Sequence, residues 1–172
     1  MPVTYRQVEP DVIEMLAAVM AEHHGDLAEE GVTVSLLFAH AALSQDGEIQ
    51  GPALKLRGWP ALAVVGVVSY KDRVEGRSDA RILLDGDRWP DLSDRQRRAL
   101  LDHELEHLTL VRREDGKVRY DAAGRPRLKM RPHDYELGGF WAVVDRHGKD
   151  ALESLAYRHV HAGFSQRTFP WG

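Results

Sequence analysis

Residues 93–110, SDRQRRALLDHELEHLTL, contain the pattern His-Glu-x-x-His at positions 103–107. On an α-helix, residues i and i+4 lie on the same face, so the side chains of His103 and His107 can converge on one metal ion. Glu104 follows the first histidine directly, where its carboxylate can act as general base toward a water on that ion. The pattern therefore predicts a catalytic metal site with His103 and His107 as ligands and Glu104 as base.

The residues around this pattern predict that it lies on an amphipathic helix. Ser93 is a favourable N-cap and Gln96, three residues later, completes a capping box, so a helix should begin near Asp94. Apolar residues at helical spacing predict one buried face, formed by Leu101, Leu105 and Leu108. The two histidines fall on a neighbouring stripe beside that face. The alternative is a pair of buried histidines that are satisfied by hydrogen bonds alone.

The composition limits which metal sites and which functions are possible. The chain has 172 residues, which predicts a single domain over residues 1–172. Cysteine is absent, so disulfides and thiolate ligands are excluded. Any metal must be bound by His, Asp, Glu and water, which suits a catalytic site better than a structural one. The formal net charge of −4 argues against a dedicated nucleic-acid binder.

The sequence predicts a protein that stays in the cytoplasm of the cell that makes it. The N-terminal residues MPVTYRQVEP lack a basic segment followed by an apolar one, so no secretory signal is expected. The longest apolar stretch, residues 61–68, is far too short to cross a bilayer.

The remaining elements predict an α+β fold in which a small mixed sheet packs against the HExxH helix and flanking helices. A first helix should begin at Pro10 and stop at Gly25, with His23 and His24 near its C-terminal end as favourable charges. Strands are predicted at residues 32–38, 64–70 and 80–84. After Leu110 we expect a charged hairpin, then a helix that ends at residues 147–148 and a last helix from Asp150.

A catalytic zinc normally has three protein ligands and a water, so the HExxH pattern needs a third ligand. The next histidine is His133, which follows the predicted hairpin. We predict His133 as this ligand, with Asp134 and Glu136 as the competing candidates. In the alternative interpretation, Asp134 is the N-cap of the next helix and His133 is a surface residue before it.

Several spaced motifs, in this order, resemble the phage metallopeptidase family. They are DAR at 79–81, DRW at 87–89, the run at 92–107, RPHD at 131–134 and VVDRHG at 143–148. The resemblance implies a zincin-like, metal-dependent peptidase domain with His103 and His107 as ligands and Glu104 as base. It also implies His133 as third ligand, because His133 matches the His-Asp pair of the family.

The predicted activity is zinc-dependent hydrolysis of a peptide bond, with one zinc ion and a peptide or protein as substrate. In this mechanism zinc would lower the pKa of its bound water. Glu104 would accept the proton from that water and then return it to the leaving amine. Tyr120, Tyr135 or a nearby arginine would stabilise the oxyanion. An extended peptide would pair with residues 80–84, which we expect to form an edge strand.

Two other functions fit the same pattern. A metal-dependent nuclease or amidase would use the same site, with the arginines at 95, 97, 98 and 125–131 guiding phosphates, although the net negative charge disfavours this. A non-catalytic zinc-binding phage interaction protein would keep zinc for structure, but it would not need Glu104 as a base. Asp102 and Glu106 either support the metal ligands from behind or face solvent, and we expect them to face solvent. The sequence predicts neither the substrate sequence nor the oligomeric state.

Overall fold

A computed structural model describes residues 3–134 and 139–154, and these form the predicted α+β fold. The helices are α1 (Pro10–His23), α2 (Gly25–Glu29), α3 (Tyr70–Val74), α4 (Asp94–Glu106) and α5 (Trp141–His147). The strands are β1 (Thr4–Gln7), β2 (Val34–His40), β3 (Lys55–Leu56), β4 (Trp59–Pro60), β5 (Ala63–Val67), β6 (Ala80–Asp85), β7 (Leu108–Leu110) and β8 (Leu128–Met130). The single domain over residues 1–172 stays a prediction, because the last 18 positions lie outside the described residues.

The main sheet is mixed and has the strand order β1-β2-β6-β5. β2 and β6 run parallel, whereas β1 and β5 pair antiparallel with their neighbours. β6 therefore has a partner on each side, and the prediction that residues 80–84 form an edge strand is wrong. Side-chain alternation shows which residues of a strand are buried, but it does not show how many strands flank it. The edges of this sheet are β1 and β5.

The HExxH helix, α4, begins and packs as predicted. The side chain of Ser93 accepts a hydrogen bond from the backbone N–H of Gln96, and the side-chain oxygen of Gln96 accepts one from the backbone N–H of Ser93, which forms the expected capping box. α4 packs against α1 and β5 through the main hydrophobic core. Its buried apolar residues are Ala99, Leu100, Leu101 and Leu105. This burial leaves the stripe that carries His103 at the margin of the core.

Some element boundaries differ from the predicted ones. Gly25 does not end the first helical region; it begins α2 after a break at His24. The predicted strand at 64–70 ends at Val67, because Ser69 caps α3 by accepting a hydrogen bond from the Asp72 backbone. No helix in the described part of the chain is long and apolar enough to cross a membrane.

The hairpin after α4 returns the chain to the end of that helix. β7 and β8 pair antiparallel, and the backbone N–H of Arg131 donates to the carbonyl of His107 at 2.7 Å. A buried ion-pair network anchors the outer part of the hairpin, where Arg73 contacts Asp121 at 2.9 Å and Asp79 at 3.3 Å. The hairpin thereby places residues 131–134 beside the second histidine of the pattern.

Candidate metal centre

The structure brings His103, His107 and His133 together. One ring nitrogen of each lies within 4.8 Å of the others. Nε2 of His103 and Nε2 of His133 are 3.2 Å apart. Two ligands of a tetrahedral zinc with Zn–N distances of about 2.0–2.1 Å are separated by roughly 3.3 Å. The spacing of these nitrogens therefore fits a common metal ion.

Asp134, the first competing candidate, uses its carboxylate elsewhere. It accepts a hydrogen bond from Arg131 and another, at 3.2 Å, from the backbone N–H of Trp141 at the start of α5. Asp134 therefore stabilises the entry to α5, partly as the alternative interpretation expected. Glu136, the second competitor, lies outside the described residues. Among the described candidates, His133 is the residue whose ring faces the other two histidines.

The Nδ1 atoms of the two helix histidines are hydrogen-bonded on the side away from the centre. Nδ1 of His103 lies 2.6 Å from Oε1 of Glu153, and Nδ1 of His107 lies 2.8 Å from the carbonyl oxygen of Arg131. Each acceptor favours the tautomer with hydrogen on Nδ1, which leaves the Nε2 lone pair available for a metal. Sequence analysis missed Glu153, because no local pattern links it to a histidine 50 positions earlier.

A single buried phenylalanine supports all three rings. The Phe140 ring lies 5.1 Å from His103, 4.9 Å from His107 and 5.1 Å from His133, measured between ring centroids. Phe140 is fully buried, and the guanidinium of Arg131 covers its ring at 4.9 Å. Its packing restricts the rotamers of the three histidines together. Sequence analysis did not single out Phe140, since one aromatic residue carries no motif.

Glu104 lies on the buried side of α4 and is 5% exposed. Burial raises the pKa of its carboxyl to about 7, while the charge of His103 and the backbone N–H of Val65 act in the opposite direction. Because Val65 belongs to β5, the general-base candidate faces that strand. A carboxyl that titrates near neutral pH can both accept and return a proton there.

The electrostatic environment keeps two of the three imidazoles neutral. Burial and the charges of His107 and His103 lower the pKa of His133 to about 4, and Arg57 adds to this effect. Burial also lowers the pKa of His107. Burial would lower the pKa of His103 as well, but the hydrogen bond to Glu153 and nearby carboxylates outweigh it and raise the value. Neutral imidazole is the form that binds a metal.

Asp102 is fully buried, so the prediction that it faces solvent is wrong. Its carboxylate contacts Nε2 of His24 at 2.6 Å, Arg146 at 2.9 Å and Nε2 of His147 at 2.8 Å. Burial would raise the pKa of Asp102, but these partners lower it to about 2. His24 is likewise a buried partner of α4 and not an exposed charge at a helix end. The partners come from the junction of α1 and α2 and from α5, far away in sequence.

Glu106 is also held by charged partners, and its side chain is only 13% exposed. It accepts a hydrogen bond from Arg131 at 2.6 Å and another from Arg146 at 2.8 Å. The prediction that it faces solvent is therefore wrong as well. Glu106 connects the end of α4 to the segment that carries His133 and to α5.

The described residues that we considered as stabilisers of the oxyanion do not lie together. The hydroxyl of Tyr120 donates to Glu30 on the hairpin's outer side, next to α2. Tyr135 lies outside the described residues. Arg57 lies close enough to His133 for its charge to lower the pKa of that residue. Arg131 also lies beside the centre, but its guanidinium is paired with Glu106 and Asp134. Arg57 is therefore the arginine that we retain as the candidate cation.

The arginines considered for phosphate binding are largely paired with carboxylates. Arg98 contacts Glu22 at 2.6 Å, and Arg97 contacts Asp94 at 3.2 Å and covers a tryptophan ring. Arg125 contacts buried Asp79 at 2.8 Å. These pairs support the interpretation of a solvated helix face and an anchored hairpin.

A family model with the description "Putative phage metallopeptidase" matches residues 4–160. The matched range contains all the residues of the candidate centre and extends well beyond residues 78–148, where the motif resemblance lies. A comparison with curated proteins and one with solved structures gave no match.

Proposed function

The chain belongs to the putative phage metallopeptidase family, and from this premise we propose that it is a zinc-dependent peptidase. In this proposal His103, His107 and His133 bind one zinc ion, and Glu104 is the general base. The observation that carries the proposal is the convergence of three histidine nitrogens within 4.8 Å, next to a buried carboxyl with a pKa of about 7. We further propose that the protein acts on peptides or proteins in the cytoplasm of a bacterial host.

The donor set fits zinc. Three imidazoles with hydrogen-bonded Nδ1 atoms form a typical catalytic set that leaves a fourth position for water. The absence of cysteine makes a structural zinc site less suitable. When bound, zinc would act as a Lewis acid and lower the pKa of its water toward neutrality.

Glu104 would move the proton during the reaction. Its carboxylate accepts the proton from the attacking water and passes it to the leaving amine as the peptide bond breaks. Its burial supports this role, because a carboxyl with a pKa of about 7 can take up and release a proton near neutral pH. The backbone of Val65 limits the rise in this pKa and fixes the carboxylate toward β5.

The substrate would bind along β5 and not along β6. The backbone N–H of Val68 donates to the backbone carbonyl of Asp79, across the β5–β6 pair. In an antiparallel pair, every second residue of a strand directs its backbone N–H and C=O toward the partner strand, so this bond shows which β5 residues do so. The β5 residues whose backbone groups point away from β6 are Ala63, Val65 and Val67. The N–H of Val65 donates to Glu104, so this edge lies beside the candidate centre, and the groups left for a peptide would be those of Ala63 and Val67. An extended peptide could pair with this edge by β-augmentation.

The two alternative functions have less support. The nuclease alternative relied on arginines of α4 to guide phosphates, and two of these, Arg97 and Arg98, are paired with carboxylates. A non-catalytic zinc protein would have no use for Glu104, whose burial disfavours its charged form.

The test is a paired measurement of zinc content and peptide cleavage on the purified protein. We expect one zinc per chain and hydrolysis of a peptide library that stops when a chelator removes the metal. Cleavage that persists without metal, or a protein that takes up no zinc, would contradict the proposal. Cleavage of nucleic acid in place of peptides would favour the nuclease alternative.

A further inference from the structure

We propose that Glu153 is a positioning residue that orients His103 for metal binding and raises the affinity of the three-histidine centre for zinc. This inference rests on the proposed function, because it requires His103 to be a ligand. It adds a residue that the HExxH pattern does not contain.

The geometry places Glu153 behind the ligand. Its Oε1 lies 2.6 Å from Nδ1 of His103, while Nε2 of the same ring faces Nε2 of His133 at 3.2 Å. A carboxylate can only accept a hydrogen bond, so Nδ1 of His103 must carry the hydrogen. The Nε2 lone pair is then directed toward the centre. Glu153 thus fixes both the tautomer and the plane of the ring.

The burial of Glu153 is a second, independent observation. The residue is 6% exposed, and its Oε2 is a buried atom without a hydrogen-bond partner in the described part of the chain. No lysine or arginine pairs with it within residues 3–134 and 139–154; its ion-pair partner there is His103. A buried carboxylate without a permanent cation is unfavourable. A dication on the far side of the His103 ring would offset this negative charge.

The segment that carries Glu153 is held rigidly. Ala151 is fully buried in a small apolar cluster with Phe140 and Val143. The hydroxyl of Ser154 donates to the carbonyl of Gly148 at 2.7 Å, and its backbone N–H donates to Ala151 at 3.0 Å. The chain after α5 therefore folds back onto α4 in a fixed conformation, as a positioning role requires.

The two helix ligands differ in their supporting acceptor. His107 donates to a neutral backbone carbonyl, which substitution cannot remove, whereas His103 donates to a carboxylate. Substitution of Glu153 therefore changes the support of one ligand and leaves the other intact. Glu153→Gln removes the charge and keeps the shape of the side chain. Glu153→Ala also removes the acceptor. Exposed Glu14 in α1 provides the matched control, Glu14→Gln.

The first measurement is zinc affinity, by competition with a chromophoric chelator. We expect Glu153→Gln and Glu153→Ala to weaken zinc binding by about 10–100-fold, the usual effect of removing such a partner. Glu14→Gln should bind as the wild type does. Affinities of both Glu153 variants within about twofold of the wild type would overturn the inference.

The second measurement is nitrogen NMR of the His103 ring in the metal-free protein, at a pH high enough to keep this ring neutral despite its raised pKa. We expect hydrogen on Nδ1 in the wild type and a mixture of tautomers in Glu153→Ala, a change that a merely structural role would not produce. An unchanged tautomer would contradict the positioning role. This readout needs no metal, so it still tests Glu153 if the wild type takes up no zinc and the proposed function fails. If Glu153→Ala does not fold, Glu153→Leu, which fills the buried position but offers no acceptor, replaces it in both readouts.

Discussion

Asp102 and His24 are joined by a buried hydrogen bond of 2.6 Å between Oδ1 and Nε2, across 78 positions of the chain. Asp102 immediately precedes His103 on α4, so the bond fixes the ligand helix from behind. Arg146 and His147 of α5 contact the same carboxylate. One side chain of α4 thus connects the junction of α1 and α2 with α5.

Replacement of this carboxylate should destabilise the fold. In Asp102→Ala, His24, Arg146 and His147 lose a shared buried acceptor, and we expect the free energy of unfolding to fall by about 3–5 kcal/mol. Urea denaturation of the metal-free protein measures the effect. Exposed Asp46, changed to Ala, is the control and should change the value by less than about 0.5 kcal/mol. A loss below about 1 kcal/mol in Asp102→Ala would show that the network contributes little.

The lowered pKa of Asp102 predicts that the stability of the fold depends on pH. The pKa of Asp102 is lowered from 3.8 to about 2 in the folded protein, so the native state binds fewer protons than the unfolded state between these values. Its contribution, about 2 kcal/mol, is present above pH 4 and is lost as the pH falls toward 2. Urea unfolding of the wild type from pH 5 to pH 2 should show this loss. Asp102→Asn should lose less stability over the same interval, and parallel curves would contradict the prediction.

The sequence could predict α4 and its stripe of site residues because the signals are local. The capping box lies within four residues and the two histidines within one helical turn. His133 could be proposed because a zinc site requires a third ligand. Glu153, Phe140 and the partners of Asp102 could not be predicted, because their contacts join elements that lie far apart in the chain. A single sequence gives no signal for such pairs.

The error about β6 has a similar origin. The strand predicted at residues 80–84 is present as β6, and its side chains Ala80, Ile82 and Leu84 are fully buried. Whether the strand has one neighbour or two depends on where β2 and β5 pair with it. Those pairings are long-range. Our proposal therefore places the substrate along β5, whose Val65 backbone contacts Glu104.

Loss of the general base should separate chemistry from metal binding. Glu104→Gln keeps the shape of the side chain but cannot accept a proton, so we expect peptide hydrolysis to fall by about 10²–10⁴-fold. Zinc content should be unchanged, since Glu104 is not one of the three ligands. Metal analysis and a peptide-cleavage assay on the same preparation measure both, with Glu14→Gln as the control. Unchanged turnover in a zinc-loaded variant would rule out this role.

Loss of the third ligand should weaken zinc binding, which loss of the general base should leave unchanged. His133 is half-buried and packs against the other two rings and Phe140. In His133→Ala we expect zinc affinity to fall by about 100-fold or more, beyond the effect of removing a supporting partner. The metal-free protein should remain folded, as circular dichroism would show. Full zinc retention would mean that the third ligand lies elsewhere, with Asp134 and Glu136 as the next residues to test.

Arg57 at the tip of the β3–β4 hairpin should contribute to turnover without contributing to stability. It has a φ of 51°, a left-handed conformation that favours glycine, and no carboxylate among the described residues pairs with it. Its charge reaches His133, where it could stabilise an oxyanion or the carboxylate of a substrate. Arg57→Gly accommodates the φ angle, so we expect an unfolding free energy equal to or above that of the wild type.

Peptide turnover should nevertheless fall in Arg57→Gly, by about 10²–10³-fold in kcat if Arg57 is the oxyanion donor, and zinc content should not change. Arg57→Lys retains the charge and should recover part of the rate, although it keeps the strained conformation. Exposed Arg77, changed to Gln, controls for the loss of a positive charge elsewhere on the surface. If Arg57→Gly cleaves peptides at the wild-type rate, the hairpin tip takes no part in the reaction and the oxyanion donor must be sought elsewhere, beginning with Tyr135.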